Sequence, residues 1–313
     1  MAGAAPTAKL SRDPQDLRSI LAAEAFVPAP GVYDALSARL AERSGFPVAY
    51  ASGGSIVRSL GLPDLGLATL TEMAARFAQI AGATEIPVIA DGDTGFGNEL
   101  NITRTVHNLE RTGIAAVHFE DQIFPKRCGH DEGVRLIDAA PMVAKLSAAV
   151  KARSSRNLLI IARTDALAVE GVAAAVERAQ RYESAGVDMI FVEGLRAAPD
   201  LEAVGRALTT PKLLNCGPPG SPLPLSSREL AELGFRIGIY PADLQCAAIG
   251  AMQECLTALR RDGNSSALRR LRSATIWSIR GFGGRSSQEA AREFTDTHSE
   301  DPLRQDGARC ARG

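Results

Sequence analysis

Eight short apolar runs alternate along this chain with amphipathic stretches of helical period, and that alternation leaves few folds open. The runs are residues 26–30, 48–52, 87–91, 115–120, 158–163, 189–193, 212–215 and 235–240. Helical stretches cover 35–44, 70–81, 101–111, 139–152, 172–184, 201–208 and 227–233, and a last one, 244–261, follows the eighth run. Continuously apolar strands separated by helices belong to a parallel sheet covered on both faces. Eight such units close into a (β/α)8 barrel of the α/β class, the TIM barrel. The competing arrangement is an open doubly wound sheet, which usually carries a glycine-rich turn after its first strand. Gly31-Val32-Tyr33-Asp34 does not match that turn.

The barrel with its C-terminal helices is expected over residues 13–284. Residues 1–12 read as an unstructured N-terminus and 285–313 as a polar, unstructured tail. A further helix is expected over 266–280, broken by Gly281-Phe282-Gly283-Gly284. The formal net charge of −1 removes the electrostatic argument for a nucleic acid or an anionic membrane as partner. No apolar run approaches the roughly 20 residues that span a bilayer. The first residues lack the charged and apolar regions of a secretory signal. Five cysteines, an odd number without CxxC spacing, read as reduced thiols and point to the cytoplasm.

In such a barrel, chemistry sits at the C-terminal ends of the strands and in the loops after them. Polar residues collect there. They are Ser52-Gly53-Gly54 after the second run, Asp91-Gly92-Asp93 after the third, and His118, Glu120 and Asp121 at the fourth. Arg163-Thr164-Asp165, Glu193, Asn215 and Tyr240 end the remaining runs. A purely structural barrel has no need of this convergence. Individually, each residue also has a plainer reading. Asp91 and Asp93 could cap turns, Glu120 and Arg163 could brace neighbouring strands, and His118 could be a satisfied core histidine. Cys128 could be an inert buried thiol, but it stands in Lys126-Arg127-Cys128-Gly129-His130, where nearby cations lower a thiol's pKa. Asp91, Asp93 and Glu120 form an all-oxygen set suited to Mg²⁺ or Mn²⁺ rather than Zn²⁺. The backbone of Ser52-Gly53-Gly54 could present N–H groups to a carboxylate.

Six motifs in order then resemble the isocitrate lyase/phosphoenolpyruvate mutase superfamily. They are Tyr50-Ala51-Ser52-Gly53-Gly54, Ser59-Leu60-Gly61-Leu62-Pro63-Asp64, Asp91-Gly92-Asp93-Thr94-Gly95-Phe96-Gly97, Glu120-Asp121-Gln122, Lys126-Arg127-Cys128-Gly129-His130 and Ala162-Arg163-Thr164-Asp165. The resemblance implies Mg²⁺ near Asp91, with Asp64, Asp93 and Glu120 in its shell. It implies a small carboxylic acid as substrate, its 2-oxo-acid part held by Ser52, Gly53, Gly54 and Arg163. His118, Lys126, Gly129, His130, Glu193 and Asn215 are expected to contribute to substrate binding. A loop over 123–134 is expected to close over the site. Within the superfamily the cysteine motif resembles the lyase branch acting on isocitrate, 2-methylisocitrate or 2,3-dimethylmalate. It is shared with a carboxyphosphonoenolpyruvate mutase and with oxaloacetate hydrolases. The expected reaction is a retro-aldol cleavage, with Cys128 as general acid to the carbanion. Tyr50 is the candidate base, and Glu120 or Glu193 could relay the proton. Relatives also pass their eighth helix to a neighbouring subunit, which predicts a homodimer or homotetramer with a swapped C-terminal helix.

One segment departs from the pattern. Relatives commonly read Asn-x-x-Glu-Gly-Gly-x-Thr-Pro after the seventh strand. This chain has Asn215-Cys216-Gly217-Pro218-Pro219-Gly220-Ser221-Pro222-Leu223. Proline replaces the acid at 218, so the part of the pocket distal to the metal is expected to differ.

Overall fold

The structure, a computed structural model, describes residues 16–129, 133–266 and 268. Eight strands are present: β1 (Val27–Val32), β2 (Ala49–Ala51), β3 (Val88–Asp91), β4 (Ala116–Glu120), β5 (Leu159–Thr164), β6 (Met189–Val192), β7 (Lys212–Asn215) and β8 (Phe235–Tyr240). They pair in sequence order, all parallel, and β8 closes on β1. The TIM barrel expected from the eight apolar runs is therefore the fold.

The helices of the described residues are α1 (Leu17–Ala23), α2 (Ala35–Arg43), α3 (Gly53–Ser59), α4 (Leu70–Ala81), α5 (Glu99–Glu110), α6 (Ala139–Ala152), α7 (Ala166–Glu170), α8 (Val172–Glu183), α9 (Ala198–Ala207), α10 (Ser227–Glu232) and α11 (Asp243–Asp262). The chain divides into a unit up to Ile249, which holds the barrel, and a second from Gly250. The termini expected to be unstructured and nearly all of the helix expected over 266–280 lie outside the described residues. No helix of the described residues is long and apolar enough to cross a membrane.

Three short helices escape a reading by period: α1, α3 and α7. The case of α3 is instructive. Glycine is a poor helix former, and Gly53 and Gly54 open this helix. Ser52 compensates as its N-cap, with its hydroxyl accepting from Ser55 N at 3.3 Å. α1 meets the interior of the barrel, its Leu17 buried in the inner core and Ile20 and Leu21 packed against it. Arg18 on α1 binds Asp188 at 2.6 Å, and Arg236 of β8 donates to the carbonyls of Leu21 and Glu24.

Strand parity divides the core in two. Side chains alternate sides along a strand, so Tyr50, Ile89, Ala116, Ile161, Phe191, Leu213 and Ile237 fill the barrel interior. Their neighbours Ala49, Val88, Val117, Ile160, Ile190 and Leu214 pack under the helices. Two residues beyond Ile89, Ala116, Ile161, Phe191 and Leu213, the same parity reaches Asp91, His118, Arg163, Glu193 and Asn215. Tyr50 is itself an interior position, and Glu120 lies two residues after His118. The rule that fills the core thus aims these polar groups at the C-terminal mouth. Register makes neighbours of Asp91 and His118, and of Glu120 and Arg163.

Candidate active site at the C-terminal mouth

A cavity of about 300 Å³ opens at the ends of the strands. Tyr50, Ser52, Gly54, Asp64, Asp91, Lys126, Cys128, Gly129, Arg163, Glu193 and Asn215 all line it, as expected from the sequence. Gly53, Asp93, His118 and Glu120 stand behind this lining, buried. His130 lies outside the described residues.

Tyr50, His118 and Asp91 form one end of the floor. The Tyr50 and His118 rings stack at 5.8 Å, and the edge of His118 meets Phe191 at 5.4 Å. Tyr50 Oη lies 2.9 Å from His118 Nε2 and 3.4 Å from Asp91 Oδ2. Burial pulls His118 down to about 4, against the charge of Asp91, so the imidazole is neutral near pH 7. Burial also pushes the Tyr50 phenol well above its ordinary value, and Asp91 adds to the rise. Desolvation opposes the charge of Asp91, but His118, Lys126 and Arg163 together hold it down, at about 2.

Lys126 reaches into the acids. Its Nζ lies 2.6 Å from Asp64 Oδ1 and 2.8 Å from Asp93 Oδ1. Burial disfavours the ammonium, but Asp93, Glu120, Asp91 and Asp64 outweigh it and raise Lys126 above the usual lysine range. Asp93 is pushed up to about 6 by burial and by Asp91, against the pull of Lys126. The loop that carries Asp93 is bent sharply. Asp93 has φ 48° and Phe96 φ 61°, both in the left-handed region that a bulky residue rarely occupies.

Arg163 organises the other end. Its Nε and Nη2 donate to the two oxygens of Asp165 at 2.9 and 3.3 Å. Its guanidinium also pairs with Glu120 at 3.3 Å and Glu193 at 3.7 Å, and lies 5.2 Å from the Phe191 ring centre. Glu193 accepts from Asn215 Nδ2 at 3.1 Å, while Asn215 Oδ1 accepts from Gly217 N at 3.1 Å. Glu120 is raised well above the carboxylate range by burial despite Arg163, and its Oε1 has no hydrogen-bond partner among the described residues.

Gln122 and Asp121 set the geometry from behind the lining. Gln122 clamps the loop after β4, accepting from Arg127 N at 2.9 Å and donating to Arg127 O at 2.9 Å. It also donates to Asp165 at 2.5 Å, which ties the cysteine loop to the Arg163 end. Asp121 has the opposite strand parity and points away from the cavity. It accepts from Thr164 Oγ1 at 2.7 Å, Tyr182 Oη at 2.8 Å and Asp165 N at 3.0 Å. Asp121, expected among the polar groups of the mouth, is thus turned outward by its parity, and the only signal for Gln122 is its place in Glu120-Asp121-Gln122.

Close approach explains two glycines. A Cβ on Gly129 would stand 2.8 Å from Arg163 Nη2 and 2.9 Å from Glu193 Cγ. One on Gly53 would stand 2.6 Å from Asp91 Oδ2. Bare backbone at 129 therefore brings the peptide next to Cys128 onto the Arg163–Glu193 pair.

The carboxylates suit a hard divalent cation in chemistry, and the orphaned buried Glu120 Oε1 is a ready acceptor for a water on such an ion. Their placement narrows the expected shell of four. Among the described residues, no three His, Cys, Asp or Glu side chains are grouped to hold a metal directly. The Lys126 ammonium stands between Asp64 and Asp93. Mg²⁺ usually accepts one or two protein carboxylates and keeps several waters. The residues fit such an ion in donor chemistry, with one or two of these carboxylates as protein ligands.

Residues 17–260 match the family model described as phosphoenolpyruvate phosphomutase. A probable 2-methylisocitrate lyase of Corynebacterium glutamicum is 42% identical over 247 residues, 79% of this chain and 80% of that protein. The chain belongs to the phosphoenolpyruvate mutase/isocitrate lyase superfamily. The crystal structure of 2,3-dimethylmalate lyase, a member of that superfamily, is 35% identical with a TM-score of 0.78, covering 90% of this chain and 94% of its own. A phosphonopyruvate hydrolase solved with oxalate and Mg²⁺ is 29% identical with a TM-score of 0.77, covering 91% and 98%. The chain is thus an enzyme of a superfamily of carbon–carbon lyases and mutases, of which at least one relative binds Mg²⁺.

Proposed function

We propose that this superfamily member is a Mg²⁺-dependent carbon–carbon lyase, with Mn²⁺ as an alternative ion, that cleaves a 2-hydroxy di- or tricarboxylate into a 2-oxo acid and a second carboxylate. The observation that carries this reading is one cavity holding a charged floor of Asp91, Arg163 and Glu193 with the Cys128 thiol at its edge. The similarity to methylisocitrate and dimethylmalate lyases supports it.

The division of labour follows from the geometry. Asp91, Asp93, Asp64 and Glu120 would hold Mg²⁺, which when bound would supply Lewis acidity to the substrate hydroxyl and to the oxyanion that forms from it. Arg163, braced by Asp165, binds the 2-oxo-acid carboxylate, and Ser52 and Gly54 line the same region. The hydroxyl proton leaves through the Tyr50–His118 pair, because a neutral imidazole 2.9 Å away can accept from the phenol. As the C2–C3 bond breaks, its electron pair stays on the departing carboxylate fragment. The Cys128 S–H then protonates that carbon and leaves a thiolate, to be reprotonated by solvent.

With Mg²⁺ present, a panel of 2-hydroxy di- and tricarboxylates should yield pyruvate or glyoxylate from at least one member. If none releases a 2-oxo acid, the lyase reading fails. With the turn after β7 altered, the second reading on the same scaffold is a carboxyphosphonoenolpyruvate mutase, which forms a P–C bond, or an oxaloacetate hydrolase. Phosphorus NMR and oxalate detection would reveal those products.

Self-association fits the same reading. On α11 the exposed Ile249, Met252, Leu256 and Leu259 recur at the 3–4–3 spacing of an interhelical seam. This stripe supports a homodimer or homotetramer that shares its C-terminal helix. Light scattering should give at least twice the 33.0 kDa chain mass, and a monomer would rule the assembly out.

A further inference from the structure

The cavity holds a third cation, Arg58, that neither the floor nor its ion pairs account for. Lys126 is committed to Asp64 and Asp93, and Arg163 to Asp165, Glu120 and Glu193. Arg58 makes two hydrogen bonds, both to neutral groups. Its Nε donates to Gln245 Oε1 at 2.9 Å and its Nη2 to Ser55 Oγ at 3.1 Å. No carboxylate lies within ion-pair distance of it among the described residues.

The support for this side chain is built in. Gln245 is buried, and its amide donates to Ser55 O at 2.8 Å, so its carbonyl oxygen is left for Arg58. Ser55, buried as well, donates to Pro241 O at 3.0 Å. A guanidinium held on one edge by neutral acceptors keeps its charge and its remaining donors for something else. Nη1 makes no hydrogen bond among the described residues. It stands 3.2 Å from where a Cβ on Gly54 would be, and Asp64 Oδ2 stands 2.8 Å from the same point on the side of the floor, so the bare glycine leaves the gap between them unfilled. The walls beside it are Pro218, Pro219, Pro241 and Ala242, which offer hydrocarbon surface.

We infer that Arg58 is a specificity-determining residue that binds a second carboxylate of the substrate, the one on the fragment released by cleavage. The substrate class is then a 2-hydroxy acid with a distal carboxylate and alkyl substituents between the two acid groups, small enough for a cavity of about 300 Å³. The kinetic part of this inference rests on the lyase reading, whereas the binding part does not.

The test compares two probes on the full-length protein with Mg²⁺: oxalate, too short to span the cavity, and 2,3-dimethylmalate, which carries both carboxylates. In Arg58→Gln, calorimetry should show oxalate affinity within about twofold of wild type and dimethylmalate weakened about tenfold, the loss expected for one charged hydrogen-bonded contact. Arg58→Lys should recover part of that loss, which a merely structural role would not predict. With whichever acid is cleaved, KM should rise about tenfold and kcat should change little. Equal weakening of both probes, or of neither, overturns the inference. If no acid is cleaved but the two probes still separate, the lyase reading fails and the role of Arg58 stands. If cleavage proceeds with an unchanged KM in Arg58→Gln, the reverse holds.

Discussion

The floor and the outer wall of the cavity are built on different principles. Floor residues sit on strand ends, where parity and register leave little freedom. There Asp91, Asp93, Glu120, Arg163 and Glu193 are buried; Arg163 joins Asp165, Glu120 and Glu193, Asn215 joins Glu193, and Lys126 joins Asp93. The outer wall comes from α3, the turn after β7 and the start of α11. It offers one cation on neutral supports and several prolines. Buried charges are costly to leave unpaired, so a change in one floor group penalises its neighbours. The wall is more exposed and can be altered without upsetting a network. Under the proposed function, reaction chemistry falls to the floor and substrate choice to the wall.

Four substitutions test that division. Asp91→Ala should have the largest effect and remove Mg²⁺-dependent oxalate binding altogether. Calorimetry showing equal affinity with and without metal would take the metal away from the floor. Cys128→Ser should lower kcat by about 10²- to 10⁴-fold, the usual weight of a general acid, while oxalate binding stays intact. An unchanged turnover would remove the thiol from the reaction.

Asp121→Ala touches no substrate but strips acceptors from Thr164, Tyr182 and Asp165 N. Urea unfolding should show a loss of about 3 kcal/mol, together with weaker oxalate binding, because Asp165 braces Arg163. Full stability in that variant would show that the ends of β4 and β5 are held by packing alone. Pro218→Glu, on the wall, should weaken dimethylmalate only about two- to fivefold through screened repulsion and leave oxalate binding and stability unchanged. A collapse in stability there would erase the contrast with the floor.

Much of the floor is legible in the amino-acid sequence. An apolar run with a polar residue at the right parity places Tyr50, His118 or Arg163 inside the barrel, because side-chain alternation is a local steric property. The wall is not legible in this way. Arg58 and Gln245 lie 187 positions apart, and neither stands in a motif with a chemical rationale of its own. Even α3 is obscured by its two glycines, since the signal that forms it is a serine cap rather than a helical period.

Strand count, the inward set of polar groups and the loop carrying Cys128 follow from residue types and their spacing along the chain. Which acid each cation neutralises does not. Lys126 could have faced water, and instead it stands between Asp64 and Asp93. Asp121 reads like a site acid next to Glu120, yet it turns outward to bind Tyr182 and Thr164. Ion pairs depend on distances of a few ångströms between segments brought together only when the barrel closes. Parity is settled within a single strand, whereas charge pairing is settled by the whole ring.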